Sequence, residues 1–173
     1  MTVVGPPTLE ECPALSYHGI RTQTPMKGMF TVVARLRAAL EAWMEERQVA
    51  GIGSAFLRYH VIDMAGVMDI AVDIPVAAPL PGDGQVIADQ LPAGRYARLV
   101  YQGHGLTGNK ALLAWAAAQG LALDRSEVPE GDAFRARFER YLTDPRVEPR
   151  KTKWDIEVAI KLADERVAGP AEG

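Results

Sequence analysis

Cysteine and histidine are scarce in this chain, and their scarcity narrows the chemistry that it can support. The 173 residues include one cysteine, Cys12, and three histidines, His18, His60 and His104. One cysteine cannot form an internal disulfide, and a free thiol suits a reducing compartment. The histidines show no metal-ligand spacing, so we expect no metal site. No Ser-His-Asp arrangement is detectable either.

Long apolar runs and a strong net charge are also missing. No segment approaches the about 18 consecutive apolar residues of a membrane-spanning helix, and the first residues, MTVVGPPTLEE, lack the basic and apolar regions of a secretory signal. We therefore expect a cytoplasmic protein with no membrane partner. The formal net charge of −3 provides no basic field for phosphate backbones, so we expect no direct nucleic-acid partner.

The composition that is present is typical of one globular domain. Hydrophobic residues make up 48% of the chain and charged residues 24%, which is enough apolar material for a real core. We predict a single domain over residues 1–173. The last residues, 164–173, are polar, small and interrupted by proline and glycine, so we expect a flexible tail there.

Two stretches in the middle and at the end of the chain are almost identical in pattern. MDIAVDIPV begins at Met68, and WDIEVAIKL begins at Trp154. Both alternate apolar and polar residues, as half-buried strands do. On their polar faces, Ala71 of the first stretch corresponds to Glu157 of the second. This additional carboxylate makes Glu157 the leading candidate for a functional residue.

Other pieces recur in the same order, which predicts a duplicated unit. LEAW at residue 40 matches LLAW at residue 112, and FLRYH at residue 56 matches FERYL at residue 138. GDAFRARFERYL fits a strand, with Phe134, Ala136 and Phe138 inward, and also fits a helix; its match to the short FLRYH favours the strand. The predicted bounds are 14–22 and 94–101 for opening strands, 28–48 and about 107–119 for helices, about 13–80 and 91–163 for the two copies, and 77–90 for a connector rich in proline and glycine.

Two copies of a strand-helix-strand-strand unit predict an α+β fold. Neither copy has enough sheet to bury both faces alone, so we expect one antiparallel sheet with both helices on one face and an open ligand groove on the other. Strand alternation would then place Tyr59, Tyr141, Glu139 and Glu157 in that groove together.

The same stretches resemble a known family. LPAGRYA, YQGH, ERYLTDP and IEVAIKL are similar to segments of the GyrI-like small-molecule-binding family, which includes effector domains of multidrug-sensing and AraC-type regulators. The resemblance covers roughly residues 13–163. It implies a cleft for bulky, often cationic aromatic molecules, with a glutamate on the last strand at its base, and Glu157 matches that glutamate. The chain departs from the family at Lys161, where proline is common.

Several side chains are candidates to contact such a ligand together with Glu157. A carboxylate beneath aromatic rings can pair with a cation while the rings add cation–π attraction. Tyr59 and Tyr141 occupy equivalent points of the repeat, and they either touch the ligand or only pack on the sheet. Trp115 lies on the second helix, where core packing and a reach into the groove are both open. Met26 either lines the groove as an adaptable apolar contact or simply precedes a helix.

Three functions are compatible with these patterns. The first is a stand-alone module that senses or sequesters a lipophilic, possibly cationic small molecule; a transcriptional role would then need a partner protein, and a homodimer is another option. The second is a hydrolase of cyclopropane-bearing DNA-alkylating compounds, which the resemblance implies, with Glu157 as general base and Glu139 as helper or as a mere salt-bridge partner. The third is protein interaction, such as gyrase inhibition.

A cofactor is not expected. GHGLTG at residue 103 satisfies the G-x-G-x-x-G spacing of dinucleotide-binding proteins. That motif works only within a parallel strand-helix-strand unit closed by an acidic residue. The predicted antiparallel sheet and the loop-like segment that follows do not provide this setting.

Overall fold

The sheet and its two helices are seen in a computed structural model that describes residues 2–164. The predicted flexible tail lies outside the described residues, apart from Asp164. The helices are α1 (Met29–Glu46) and α2 (Gly105–Ala118), and a short 3₁₀ helix spans Lys151–Lys153. The strands are β1 (Thr2–Val3), β2 (Thr8–Cys12), β3 (Leu15–Pro25), β4 (Phe56–Ile62), β5 (Val67–Pro75), β6 (Ile87–Leu91), β7 (Gly94–Gln102), β8 (Arg125–Val128), β9 (Gly131–Phe134), β10 (Arg137–Tyr141) and β11 (Ile156–Lys161).

The strands form one antiparallel sheet in the order β1-β7-β11-β10-β4-β5-β3-β6. Strand β2 also pairs with β7, and the β8–β9 hairpin extends from β4. The two halves of the chain join at the centre of the sheet, where β10 pairs with β4 and Phe138 lies opposite Arg58. The predicted α+β class, with an antiparallel sheet, is confirmed. No helix within residues 2–164 is long and apolar enough to cross a membrane.

Both halves follow the predicted order of elements. The first half runs β3-α1-β4-β5, and the second runs β7-α2-β10-β11 with the β8–β9 hairpin inserted after its helix. The predicted connector at 77–90 contains the beginning of a strand, β6. The tandem duplication itself stays a prediction, as do the boundaries of the two copies.

Helix α1 shows why the apolar spacing of the sequence produces this packing. It begins after Gly28, whose φ of 78° lies in the left-handed region that favours glycine. Val33, Leu36 and Leu40 recur at helical spacing and are buried against the sheet. Each such side chain contributes roughly 1.5–3 kcal/mol when fully buried.

The apolar residues of β5 and β11 face the helices, as their alternation predicts. Ile70 and Val72 of β5 join Ile156 and Val158 of β11 in one core with both helices. This surface is called the helix face below.

A second, smaller apolar cluster covers part of the opposite face of the sheet. It shows that the central strands are buried on both faces. The cluster contains Tyr17, Phe56, Leu91, Tyr96, Ala136, Phe138 and Ala159.

The second cluster overturns one detail of the sequence interpretation. Phe134 lies in the helix-face core, whereas Ala136 and Phe138 lie in the opposite cluster. The prediction that they share a face is wrong because the extended strand is interrupted between β9 and β10. After this interruption the alternation of side chains continues on the other face of the sheet. GDAFRARFERYL is nevertheless strand rather than helix, as the repeat predicted.

Candidate ligand-binding site

A cavity of about 530 Å³ lies on the helix face, between the N-terminal ends of α1 and α2. Strands β4, β5 and β10 form its floor. We call it the first chamber. Its lining residues are Met26, Phe30, Tyr59, Ile62, Met64, Met68, Gly103, His104, Gly105, Leu106, Asn109, Lys110, Leu113, Arg137, Glu139, Lys151 and Thr152.

Glu139 lies in the floor of the first chamber because of the register of the central strands. It pairs with Leu57 of β4 and Val158 of β11, and both of these partners belong to the helix-face core. Residues paired across antiparallel strands share a face. The side chain of Glu139 therefore enters the core side of the sheet, and only 3% of the residue is exposed.

The two carboxylate oxygens of Glu139 have different surroundings. Oε1 accepts a hydrogen bond of 2.9 Å from Asn109 Nδ2, and Asn109 Oδ1 accepts one of 2.8 Å from Arg137 Nη2. Oε2 is buried and has no hydrogen-bond partner among residues 2–164. Burial raises the pKa of Glu139, while the Asn109 hydrogen bond, the charges of Lys151 and Arg137 and the nearby Tyr59 hydroxyl act in the opposite direction.

Three tyrosines lie close enough to Glu139 to interact electrostatically with its carboxylate. Burial, and then the Glu139 carboxylate, raise the pKa of Tyr59, Tyr101 and Tyr141. These phenols are therefore neutral and can donate hydrogen bonds. The hydroxyls of Tyr101 and Tyr141 have no partner with full hydrogen-bond geometry in the part of the chain described, although that of Tyr101 lies close to the Glu139 carboxylate. These two hydroxyls lie in the core beside Glu139, and Tyr59 is the tyrosine of the three that lines the first chamber.

The walls of the first chamber are mainly apolar, and part of this apolar surface reaches solvent. Met64 is 52% exposed, Leu106 57% and Phe30 39%. Large apolar side chains gathered around a concave site, with a few convergent polar groups, are typical of small-molecule binding.

The first chamber contains basic side chains as well as the acidic Glu139. Glu139 is accompanied by Lys110, Arg137 and Lys151. Arg137 lies over the Phe134 ring at 4.7 Å and donates to Asn109. The ammonium group of Lys151 lies 3.9 Å from the centroid of the Phe30 ring. The charges of Lys151 and Arg137 partly offset that of Glu139.

The structure brings only some of the predicted site residues together. Met26, Tyr59 and Glu139 line the first chamber. Tyr141 lies on the same face but lines a neighbouring cavity. Trp115 packs against the helix-face core and is not among the lining residues of the first chamber. Contact of these residues with a ligand stays a prediction.

Glu157 does not share this cavity, so the predicted common groove is wrong. It pairs in register with Arg140 and Val100 and lies on the face opposite the helices. There its Oε1 accepts a hydrogen bond of 2.5 Å from Arg98 and lies 3.5 Å from Arg140 Nη1. The cause is an offset of one residue: Glu139 faces Val158 and not Glu157, and one residue exchanges the faces of a strand.

The predicted position of the groove is corrected in the same way. The expected open face carries a small cavity of about 190 Å³ beside Arg98 and Arg140. The cavity that contains Tyr59 and Glu139 lies on the helix face instead. Helices α1 and α2 leave the space between their N-terminal ends uncovered by apolar packing.

Sequence reasoning missed several lining residues. Asn109 and Arg137 fix Glu139, and Phe30 and Lys151 close one side of the chamber. The sequence of β4 gave no signal, because Leu57 and Tyr59 on one face and Phe56 on the other are all large and apolar. Nothing in the local sequence indicates the Phe30–Lys151 contact, because the two residues are distant in the chain.

The chain belongs to the family described as GyrI-like small molecule binding domain, whose sequence pattern matches residues 5–163. It therefore has the fold and the small-molecule-binding character of that family, and the resemblance inferred from the sequence is confirmed. Among curated proteins, no sequence matches the chain.

Solved structures with the same fold include the EcmrR C-terminal domain, with 15% identity over 92% of this chain and 98% of that chain and a TM-score of 0.66. EcmrR in a complex with DNA gives 15% identity over 92% of this chain and a TM-score of 0.70. The present chain spans only 58% of the length of that EcmrR chain.

Two further structures are similar at 12% identity. SAV2435 bound to tetraphenylphosphonium has a TM-score of 0.57 over 92% of this chain and 94% of that chain. A hydrolase from Listeria innocua has a TM-score of 0.62 over 91% of both chains. At these identities the likeness shows the fold alone.

Proposed function

We propose that the chain binds a lipophilic small molecule in the first chamber and acts in sensing or sequestration. The observation that carries this proposal is the buried Oε2 of Glu139, which has no partner among the described residues and lies at the floor of a mainly apolar cavity. A ligand that presents a cation or a hydrogen-bond donor to Oε2 supplies the missing partner. Its apolar part covers the exposed surface of Phe30, Met64 and Leu106.

Energetic reasoning favours a ligand with both an apolar body and a donor or cationic group. A hydrogen bond to a charged group contributes roughly 1.5–3 kcal/mol. Removing apolar surface from water contributes about 25 cal/mol per Å². A cation near Phe30 or Tyr59 gains about 0.5–2 kcal/mol from the ring. The aromatic cation bound by SAV2435 belongs to this chemical class.

The test uses two probes of similar shape and different charge. Tetraphenylphosphonium and neutral triphenylphosphine oxide are titrated into wild type, Glu139→Gln and Glu157→Gln, and binding is followed by calorimetry. We expect Glu139→Gln to weaken binding of the cation about 10–100-fold and to change binding of the neutral probe little. Glu157→Gln is the matched control on the opposite face and retains wild-type affinity. Absence of saturable binding of both probes to wild type contradicts the proposal.

Glu139 also favours a second candidate function, hydrolysis of a strained electrophile. Burial raises the pKa of its carboxyl group toward the range in which a general acid or base is effective. The neutral hydroxyl of Tyr59, which lines the same cavity, could orient a water molecule. The role of base, first assigned to Glu157, therefore passes to Glu139, because Glu157 lies on the other face.

Product formation separates this candidate from simple binding. Wild type is incubated with cyclopropane-bearing alkylating compounds, and products are followed by mass spectrometry across a pH series. A hydrolase gives a rate that rises through one ionisation, and Glu139→Gln removes turnover while a neutral substrate still binds. Saturable binding with no product at any pH eliminates the candidate. The predicted protein-interaction role stays a prediction.

A further inference from the structure

A second cavity adjoins the first chamber. Its volume is about 310 Å³, and it lies between the exposed side of α1 and the segment that follows β10. We call it the second chamber. Its lining residues are Phe30, Val33, Ala34, Arg37, Ala38, Glu41, Tyr141, Asp144, Pro145, Arg146, Lys151 and Trp154.

Phe30 and Lys151 form the partition between the two chambers. Among the described residues, they are the two that line both cavities. The partition is a cation–π contact, with Lys151 Nζ 3.9 Å from the centroid of the Phe30 ring. Lys151 belongs to a three-residue 3₁₀ helix in the connection between β10 and β11, and within residues 2–164 its side chain makes the ring contact with Phe30 but no hydrogen bond or ion pair. The ammonium group is therefore held over Phe30 by that contact alone among the described residues.

The floor continues from one chamber to the other. Strand β10 places Glu139 under the first chamber and Tyr141, two residues further along the same face, under the second. Tyr141 meets Trp154 in an edge-to-face contact with 5.6 Å between ring centroids. The Trp154 indole is fixed by a hydrogen bond from Nε1 to the Glu148 carbonyl oxygen. The second chamber thus presents a rigid aromatic surface to a ligand ring.

Of the charged residues that line the second chamber, Lys151 is the one without an ion-pair partner among the described residues. Arg37 pairs with Glu41 at 3.0 Å, and Arg146 pairs with Asp144 at 2.9 Å. Lys151 alone lacks such a partner among the described lining residues. Burial lowers the pKa of Lys151, and the charge of Glu139 opposes this shift. The ammonium group therefore lies between the two chambers, where the charge of Glu139 offsets only part of the desolvation penalty of burying it.

We propose that Lys151 is a displaceable internal cation and that the two chambers form one binding site for lipophilic cations carrying several aryl groups. This inference rests on the proposed function, because it concerns ligands of the first chamber. The ligand cation replaces the ammonium group over the Phe30 ring and near Glu139, and the flexible lysine stem carries its charge into solvent. One aryl group then packs on Tyr141 and Trp154. A small cation that stays in the first chamber leaves Lys151 in place and is repelled by it.

The test compares tetraphenylphosphonium, which can occupy both chambers, with benzyltrimethylammonium, which has a single ring. Lys151→Met removes the charge and keeps the length of the side chain. Lys153→Met is the matched control, because Lys153 lies in the same 3₁₀ helix, is exposed and lines neither chamber. Ala34→Trp fills the second chamber from an exposed position of α1, and Ala38→Trp does so one turn further along.

We expect Lys151→Met to tighten tetraphenylphosphonium binding about tenfold, since the ligand no longer competes with the internal cation. Lys153→Met leaves the affinity unchanged. Either tryptophan substitution, added to Lys151→Met, removes the gain for tetraphenylphosphonium and leaves benzyltrimethylammonium binding within about twofold of its value without the tryptophan.

Other outcomes overturn the inference and separate it from the proposed function. If wild type binds tetraphenylphosphonium and the Lys151 and tryptophan variants bind it equally well, the two-chamber site is wrong and the proposed function stands. If Lys153→Met increases the affinity for tetraphenylphosphonium as much as Lys151→Met does, the change in net charge explains the effect and the proposed role of Lys151 is wrong. If neither probe binds wild type or Lys151→Met, both proposals fail.

Discussion

Glu139 and Glu157 lie on adjacent antiparallel strands, and their side chains leave the sheet on opposite faces. Glu157 pairs in register with Arg140, the residue that follows Glu139. Glu139 therefore enters an apolar cavity with one unpartnered oxygen, whereas Glu157 lies between the guanidinium groups of Arg98 and Arg140. The charge of Glu157 is therefore expected to stabilise the fold, and the charge of Glu139 to destabilise it.

Removal of the charge of Glu157 is expected to destabilise the protein. Glu157→Gln weakens the contacts with Arg98 and Arg140; Arg98 keeps its ion pair with Glu10, whereas the half-buried Arg140 loses its counter-charge. We expect the free energy of unfolding to fall by about 1–3 kcal/mol in urea titrations. Glu41→Gln, which breaks the more exposed Arg37–Glu41 pair, is the control and costs about 0.5 kcal/mol or less. Equal losses in the two variants contradict the assignment.

Removal of the charge of Glu139 is expected to stabilise the protein, in contrast to removal of the charge of Glu157. The pKa of this carboxyl group is raised in the folded protein, chiefly by burial. The folded state therefore holds the proton more tightly, so the associated stability is fully present below the unfolded pKa and is lost as pH rises through the folded pKa. Glu139→Gln removes this loss, and its melting temperature should exceed that of wild type by a margin that grows with pH. A constant or negative margin contradicts the prediction.

Asp73 makes a second pH-dependent contribution to the free energy of unfolding, outside the ligand site. It is fully buried, and neither carboxylate oxygen has a hydrogen-bond partner among the described residues. Burial raises its pKa from 3.8 to about 8, against the opposing charge of Arg58. Since the folded value is the higher one, stability from this group is full below about pH 4 and is lost progressively up to about pH 8.

Asp73→Asn tests this contribution of Asp73 to stability. The free energy of unfolding of the variant, relative to wild type, is measured at a series of pH values from 4 to 8. We expect the difference to change in favour of Asn by on the order of 3–5 kcal/mol, because each pKa unit corresponds to about 1.4 kcal/mol. Parallel pH curves for the two proteins would show that Asp73 has an ordinary pKa.

Gly108 tests the close approach of α2 to the sheet. A Cβ atom built at this position would lie 2.5 Å from the ring of Tyr101. Alanine in a helix normally gains up to about 1 kcal/mol over glycine, whereas overpacking a core costs typically 1–3 kcal/mol. We expect the steric cost to dominate, so Gly108→Ala lowers the free energy of unfolding. Gly84→Ala, with open space around the glycine, is the control and should be neutral or slightly stabilising.

The sequence alone determined the elements whose two faces differ in polarity. The alternation of β5 and β11 and the helical spacing of α1 predicted which residues pack in the core with the helices, because the large apolar side chains recur at the strand or helix period. The order of these elements and the family stretches were also sufficient to predict the fold class.

Only the tertiary structure decided which residues meet in the candidate site. Strands β4 and β10 lie at the centre of the sheet and carry apolar residues on both faces, so Phe56 and Leu57 gave no contrast from which a face could be assigned. The face of Glu139 followed from its register with Leu57 and Val158, and a shift of one residue would have reversed it. The contact of Phe30 with Lys151 likewise depends on strand pairing between distant segments, which local sequence patterns do not encode.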